Sequence, residues 1–123
     1  MLVCNNAAEE IEFCQRAFSA VELSRRTAKD GRVIHATLKI NESLIMIHNE
    51  SPHLASRAPQ PDGRSSVVTY LYGDEVDAVI ERAVDEGARI LLPAEDQSWG
   101  DRVGRIVDPS GHVWNIAARI QEE

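Results

Sequence analysis

An internal repeat restricts this chain more than any other feature. Two stretches carry the same order of patterns, strand, helix, strand, strand, strand, at an offset of 68 positions: Asn6 and Asp74 stand at the two helix entries, Leu44 and His112 at the two last strands. In the first copy Leu2 to Cys4 reads as a short strand. Ile11, Cys14, Ala17 and Phe18 then recur at three and four, the apolar stripe of an amphipathic helix. Asn5 and Asn6 precede that helix as candidate N-caps. Strands are expected over 21–27, 32–40 and 43–48. The second of these alternates Ile34, Ala36, Leu38 and Ile40 with Val33, His35, Thr37 and Lys39. Asn41 and Glu42 make a connection of hairpin length without the preferred glycine.

The second copy has a strand over 67–72 and a helix whose stripe is Val76, Val79, Ile80, Ala83 and Val84, closed by Gly87 as a C′ residue. Strands over 89–92, 102–107 and 112–118 follow, the last two separated by the turn Asp108-Pro109-Ser110-Gly111. Between the copies, 51–66 is rich in proline, serine and charge and reads as a linker over the surface. A half of about 60 residues is too small to bury a curved sheet alone. The expected architecture is therefore α+β: tandem βαβββ modules, about 1–50 and 67–120, forming one domain over 1–123. Their mixed sheets pair into an incomplete barrel with the helices outside.

With 123 residues and 43% apolar side chains, one ordinary core is affordable without staples. The net charge of −7 and the scattered basic residues argue against a nucleic-acid binder, which needs clustered Lys and Arg to displace counterions. No apolar run reaches the roughly 18 to 20 residues of a membrane span, and no basic-then-apolar leader opens the chain. A soluble, cytoplasmic protein without membrane contact is expected. Cys4 and Cys14 fit no disulfide framework, zinc or redox spacing and read as small buried hydrophobes.

Two segments sharpen the reading. The stretch from Ala8 through Glu9-Glu10-Ile11-Glu12-Phe13-Cys14-Gln15-Arg16-Ala17 to Phe18, and Trp99-Gly100-Asp101-Arg102-Val103-Gly104-Arg105-Ile106-Val107-Asp108-Pro109-Ser110-Gly111-His112-Val113-Trp114, resemble the vicinal oxygen chelate superfamily. That superfamily contains glyoxalase I, bleomycin resistance proteins and extradiol dioxygenases, and the second segment is similar to its PhnB-like, glyoxalase-related branch. The resemblance implies a divalent metal, such as Zn, Ni, Fe or Mn, held by His, Gln or Glu on inner strand faces and acting as a Lewis acid. Carried over singly, those positions fall at Asn115, near Val68, near Met46 or Ile47, and before Leu2. The set is not a metal-binding one, so no metal or other cofactor is expected. His48, beside the fourth-strand position, is the one side chain a register shift would bring into play.

If Val68 marks the inner face of its strand, Tyr70 and Tyr72 share that face. The same alternation leaves His35, Thr37 and Lys39 facing the groove and turns Asn115 inward, while Trp114 turns towards the helices as core. Trp99, on a loop, is either a stacking wall or a plug of the barrel end. Asp101 and Arg102 either orient a polar ligand or form a structural ion pair. His35 beside Tyr70 would suit proton transfer. His112 reads as a turn or interface residue. The candidate ligand-binding set is thus His35, Tyr70, Tyr72, Trp99, Asp101, Arg102 and Asn115, with no catalytic residue assigned.

The resemblance implies three functions. The first is metal-free binding or sequestration of a small molecule, as in bleomycin resistance proteins, which are frequently dimers with the ligand at the subunit boundary. The negative charge of this chain would then favour a cationic, aromatic ligand. The second is a metal-dependent glyoxalase-like lyase, isomerase or dioxygenase. The third is a non-catalytic structural or regulatory homodimer. A homodimer is the expected assembly, with modules paired within a chain or swapped between chains.

Overall fold

A computed structural model describes residues 1–120. The elements in chain order are β1 (Leu2–Cys4), α1 (Ala7–Phe18), β2 (Val21–Thr27), β3 (Val33–Ile40), β4 (Ser43–Asn49), β5 (Thr69–Tyr72), α2 (Val76–Asp85), β6 (Arg89–Asp96), β7 (Asp101–Val107) and β8 (Val113–Arg119), with a 3-10 turn at Pro52–Leu54 in the linker. The strands form two four-stranded sheets of identical design, β1-β4-β3-β2 and β5-β8-β7-β6. In each, the first strand runs parallel to the last and the remaining pairs are antiparallel. The repeat visible in the sequence is therefore a repeat of topology.

Local chemistry sets the helix ends. The Asn6 side chain accepts from the Glu9 amide at 3.3 Å, Glu9 and Glu10 occupy the positive end of α1, and Arg16 lies in its last turn. Ser19 then leaves the helix in the left-handed region, at φ 57°. After α2, Gly87 takes φ +103°, and a Cβ there would stand 3.2 Å from the Pro109 ring.

Each helix packs on one face of its own sheet, and the two helices pack on each other, whereas no strand of one sheet contacts a strand of the other among the described residues. The shared core lies around this helix pair. Trp114, 1% exposed, meets Phe18 at a centroid distance of 4.8 Å, and Phe18 meets Phe13 edge-on at 5.4 Å. Ile11, Leu38 and Ile47 of the first module join Ile80, Ile106 and Ile116 of the second in the same cluster. Both sheets thus keep an open face.

Bulges interrupt the outer ladder of each sheet, and one of them shifts a face expected from the sequence. In β3, Arg26 pairs with His35 and Thr27 with Val33, so Ile34 is the extra residue; it is exposed, Val33 is buried, and regular alternation resumes at Ala36. Ile34 therefore does not join the helix-facing set expected from strict alternation. In β6 the strand continues beyond Leu92 to Asp96, with an irregularity between Leu92 and Glu95. Pro93, which has no amide hydrogen to donate, lies inside that irregularity on an edge strand.

Candidate functional site

The polar and aromatic residues singled out in the sequence gather mainly on the open face of the β5-β8-β7-β6 sheet. Register places Tyr70 beside Asn115, Asn115 beside Arg105, Tyr72 beside Ala117, and Asp101 beside Arg119. Intervening residues Leu71, Ile116 and Ile106 turn to the helices, as the two-residue period requires. Both tyrosine hydroxyls donate to one atom, Asp101 Oδ2, Tyr70 at 2.9 Å and Tyr72 at 2.6 Å. Their rings lie 5.2 Å apart at 50°. The Arg119 guanidinium stands 6.0 Å from the Tyr72 centroid, within cation–π reach.

This arrangement fixes charges. The Tyr72 hydroxyl, aided by Tyr70, Arg119 and the Trp99 indole, holds the Asp101 carboxyl below the usual carboxylate range. In return the bond to Asp101 pushes the Tyr72 phenol up to about 12, with desolvation and the Asp101 charge adding to it. Asp101 is 5% exposed beneath these groups, while Trp99 is 64% exposed at the rim. Beside the tyrosines, a cavity of about 320 Å³ is lined by Leu92, Trp99, Val103, Arg105 and Asn115. Arg105 Nε donates to Asn115 Oδ1 at 2.7 Å. A larger cleft of about 800 Å³ opens on the other side of Tyr70 and Tyr72, between β5 and the Asn41 hairpin. The Asn41 amide bridges it by donating to the Tyr72 carbonyl at 2.7 Å.

Tyr70, Tyr72, Trp99, Asp101 and Asn115 are thus brought together, and two candidates stand apart. Arg102 points to the opposite face, where it binds Asp77 at 2.9 Å and Asp96 at 3.1 Å and ties α2 to β6 and β7. Those carboxylates raise its pKa further, and its guanidinium lowers that of Asp77. The ion-pair reading of Arg102 is the one this geometry matches. His35 lies on the other sheet, paired with Arg26, and makes no bond to Tyr70. The sequence reading missed Arg105 and Arg119. Each lies four residues from a recognised candidate, Asp101 and Asn115 respectively, and so on the same strand face; that alternation was the available signal.

The residues present do not fit the metal site that the resemblance implies. No three His, Cys, Asp or Glu side chains converge among the described residues. Asn115 already accepts from a guanidinium, which places a positive charge where a cation would sit. His48 is buried in the first sheet, with Nδ1 2.6 Å from the Asn49 carbonyl.

The C-terminal segment that carried the resemblance proves to be structural where it turns. The buried Asp108 carboxylate accepts from Trp114 Nε1 at 2.9 Å and from the amides of Ser110 at 3.0 Å and His112 at 2.9 Å. Glu10 of α1, fully buried, lies against Asp108 and Ser110, and burial and then Asp108 raise its carboxyl well above the ordinary range. The Cys14 thiol donates to Glu10 Oε1 at 3.7 Å. His112 Nε2 donates to the Val3 carbonyl at 2.8 Å and joins the two modules. Burial also raises the Cys4 and Cys14 thiols, so both stay protonated.

Duplicated βαβββ modules with open sheet faces define a class of small α+β proteins whose two mixed sheets do not close into a barrel. Residues 1–116 match the sequence profile of the Glyoxalase/Bleomycin resistance protein/Dioxygenase superfamily, and the chain belongs to that superfamily. An uncharacterised protein of Mycobacterium bovis is 40% identical over 124 residues, which covers 98% of this chain and 82% of that one. The fold is similar to TioX from Micromonospora sp. ML1, with a TM-score of 0.76, 24% identity, and coverage of 97% of this chain and 94% of that one. It is also similar to the PhnB protein of Bacillus cereus, with a TM-score of 0.66, 22% identity, and 95% coverage of both chains.

Proposed function

We propose that this chain binds a small aromatic molecule on the open face of its second sheet, without a metal and without chemical turnover. The observation that carries this reading is the Tyr70–Tyr72–Asp101 cluster. One carboxylate fixes two adjacent aromatic rings at an angle, and the exposed Trp99 supplies a third aromatic surface beside a cavity that Leu92 and Val103 help to line. Rings held in advance lose little conformational freedom when a flat ligand arrives.

A second copy of the chain completes the site in this reading. Val21, Leu44 and Met46 are exposed on the open face of the first sheet, and Tyr70, Tyr72 and Leu92 on that of the second. Apolar surface of this kind is characteristic of interfaces. A cytoplasmic location agrees with two buried, unpaired thiols, and no described helix is long and apolar enough to cross a membrane.

Titration with the neutral probe 2-naphthamide, read by tryptophan emission, tests the binding function. Saturable quenching is expected from the wild type and not from Trp99→Phe, since Trp114 is enclosed in the core. Tyr72→Ala is expected to weaken the affinity roughly three- to tenfold. Quenching that is absent, or identical in all three proteins, would overturn the reading.

A further inference from the structure

We propose that the ligand carries a carboxylate and that Arg105 receives it, an inference that rests on aromatic binding at this same face. Arg105 lies half-buried at mid-strand in β7, with Leu92 on one side and Asn115 on the other. Its Nε is engaged by Asn115 Oδ1, which fixes the plane of the guanidinium. Its terminal Nη groups meet no carboxylate among the described residues, in contrast to Arg16, Arg25, Arg32 and Arg102. A partly desolvated guanidinium with no carboxylate within salt-bridge distance, oriented by a neutral amide and lining a cavity together with Leu92, Val103 and Trp99, is a carboxylate acceptor in geometry and in charge.

The neighbouring groups limit that charge to one. Asn115 uses its oxygen on Arg105, so its Nδ2 is left to donate to the same anion. Arg119 is four residues further along β8, over the Tyr72 ring and opposite Asp101. Glu95, opposite Val103, brings a negative charge to the cavity wall. One guanidinium beside Glu95 suits a monoanion, whereas a phosphate dianion would meet repulsion from Glu95 and Asp101. The chain's charge of −7 governs long-range attraction and favours cations, but the groups in contact govern what is held. The ligand class is therefore a flat aromatic ring system with one carboxylate, the ring against Trp99 and Leu92 and the carboxylate on Arg105 and Asn115.

Calorimetric titration of the full chain with 2-naphthoate and the near-isosteric 2-naphthamide separates this inference from the binding function beneath it. The wild type is expected to bind the carboxylate at least about tenfold more tightly than the amide, a charge-assisted bond being worth that much. Arg105→Gln is expected to bring the affinity for 2-naphthoate down to that for 2-naphthamide, and Arg105→Lys to retain part of the preference, which controls for folding. Equal affinity for both probes in the wild type, or a preference that survives Arg105→Gln, would overturn the carboxylate assignment and leave aromatic binding standing. Binding of neither probe would overturn both.

Discussion

Tyr72 and Asp101, on strands that are not neighbours in their sheet, are joined across the open face by a 2.6 Å hydrogen bond. The bond ties the ionisation of each to the other. In a spectrophotometric titration, Tyr72 is expected to ionise at about 12. Asp101→Asn removes the acceptor charge and is expected to bring Tyr72 down towards the ordinary phenol value. An unchanged titration in Asp101→Asn would show that the two side chains are not bonded in solution.

Arg102 lies next to Asp101 in sequence but on the other face of the strand. Arg102→Gln should lower the melting temperature, because it frees α2 from β6 and β7, yet leave the affinity for 2-naphthamide unchanged. A fall in affinity comparable to that of Tyr72→Ala would return Arg102 to the site.

The fold was legible because its signals are redundant. The α1 stripe, the Gly87 stop and the Asp108–Gly111 turn each mark one element, and the 68-residue offset makes them agree. The open face of the second sheet was read by alternation from Val68, which lies just before β5, through Tyr70 and Tyr72. Alternation failed at Ile34, and the strand expected over 89–92 runs on through Pro93 to Asp96, since a bulge leaves no reliable mark in the pattern of apolar residues. His35 was grouped with Tyr70 because strand faces can be read from sequence, while the placement of one sheet relative to another cannot. That placement depends on helix–helix packing and on His112 bonding to the Val3 carbonyl, 109 residues away.

The buried carboxyl pair gives stability a definite pH dependence. Glu10 has its folded pKa raised above the ordinary 4.5, so its contribution is fully present below that value. It is lost as the pH rises towards the folded pKa, because the unfolded chain ionises first. Relative to the wild type, Glu10→Gln is expected to gain stability steadily above about pH 5, with a linkage slope approaching one proton. Asp108→Ala, which orphans three N–H groups including the Trp114 indole, should cost about 3 kcal/mol or more in denaturant unfolding.

Packing between the second helix and its sheet is equally specific. A Cβ on Gly104 would collide with Ile80 Cδ1 and press within 3.3 Å of the Ala94 backbone. Gly104→Ala is expected to destabilise by about 1–3 kcal/mol, the ordinary penalty for overpacking, measurable by thermal melting.

Chelation separates a metal-free binder from a metal-dependent enzyme. Exhaustive dialysis against EDTA should leave the affinity for 2-naphthamide unaltered, since Asn115 is held by Arg105 and no three His, Cys, Asp or Glu side chains converge among the described residues. An affinity that falls on dialysis and returns with Zn, Ni, Fe or Mn would overturn the metal-free reading.

Chemical-shift mapping of the full chain with 2-naphthamide measures ligand placement most directly. Perturbations are expected to be largest at Tyr70, Tyr72, Trp99, Asp101 and Asn115, and smaller at His35 and His48 on the other sheet. Shifts centred on His35 and His48, or on the Asn41 hairpin alone, would contradict binding on the open face of the second sheet.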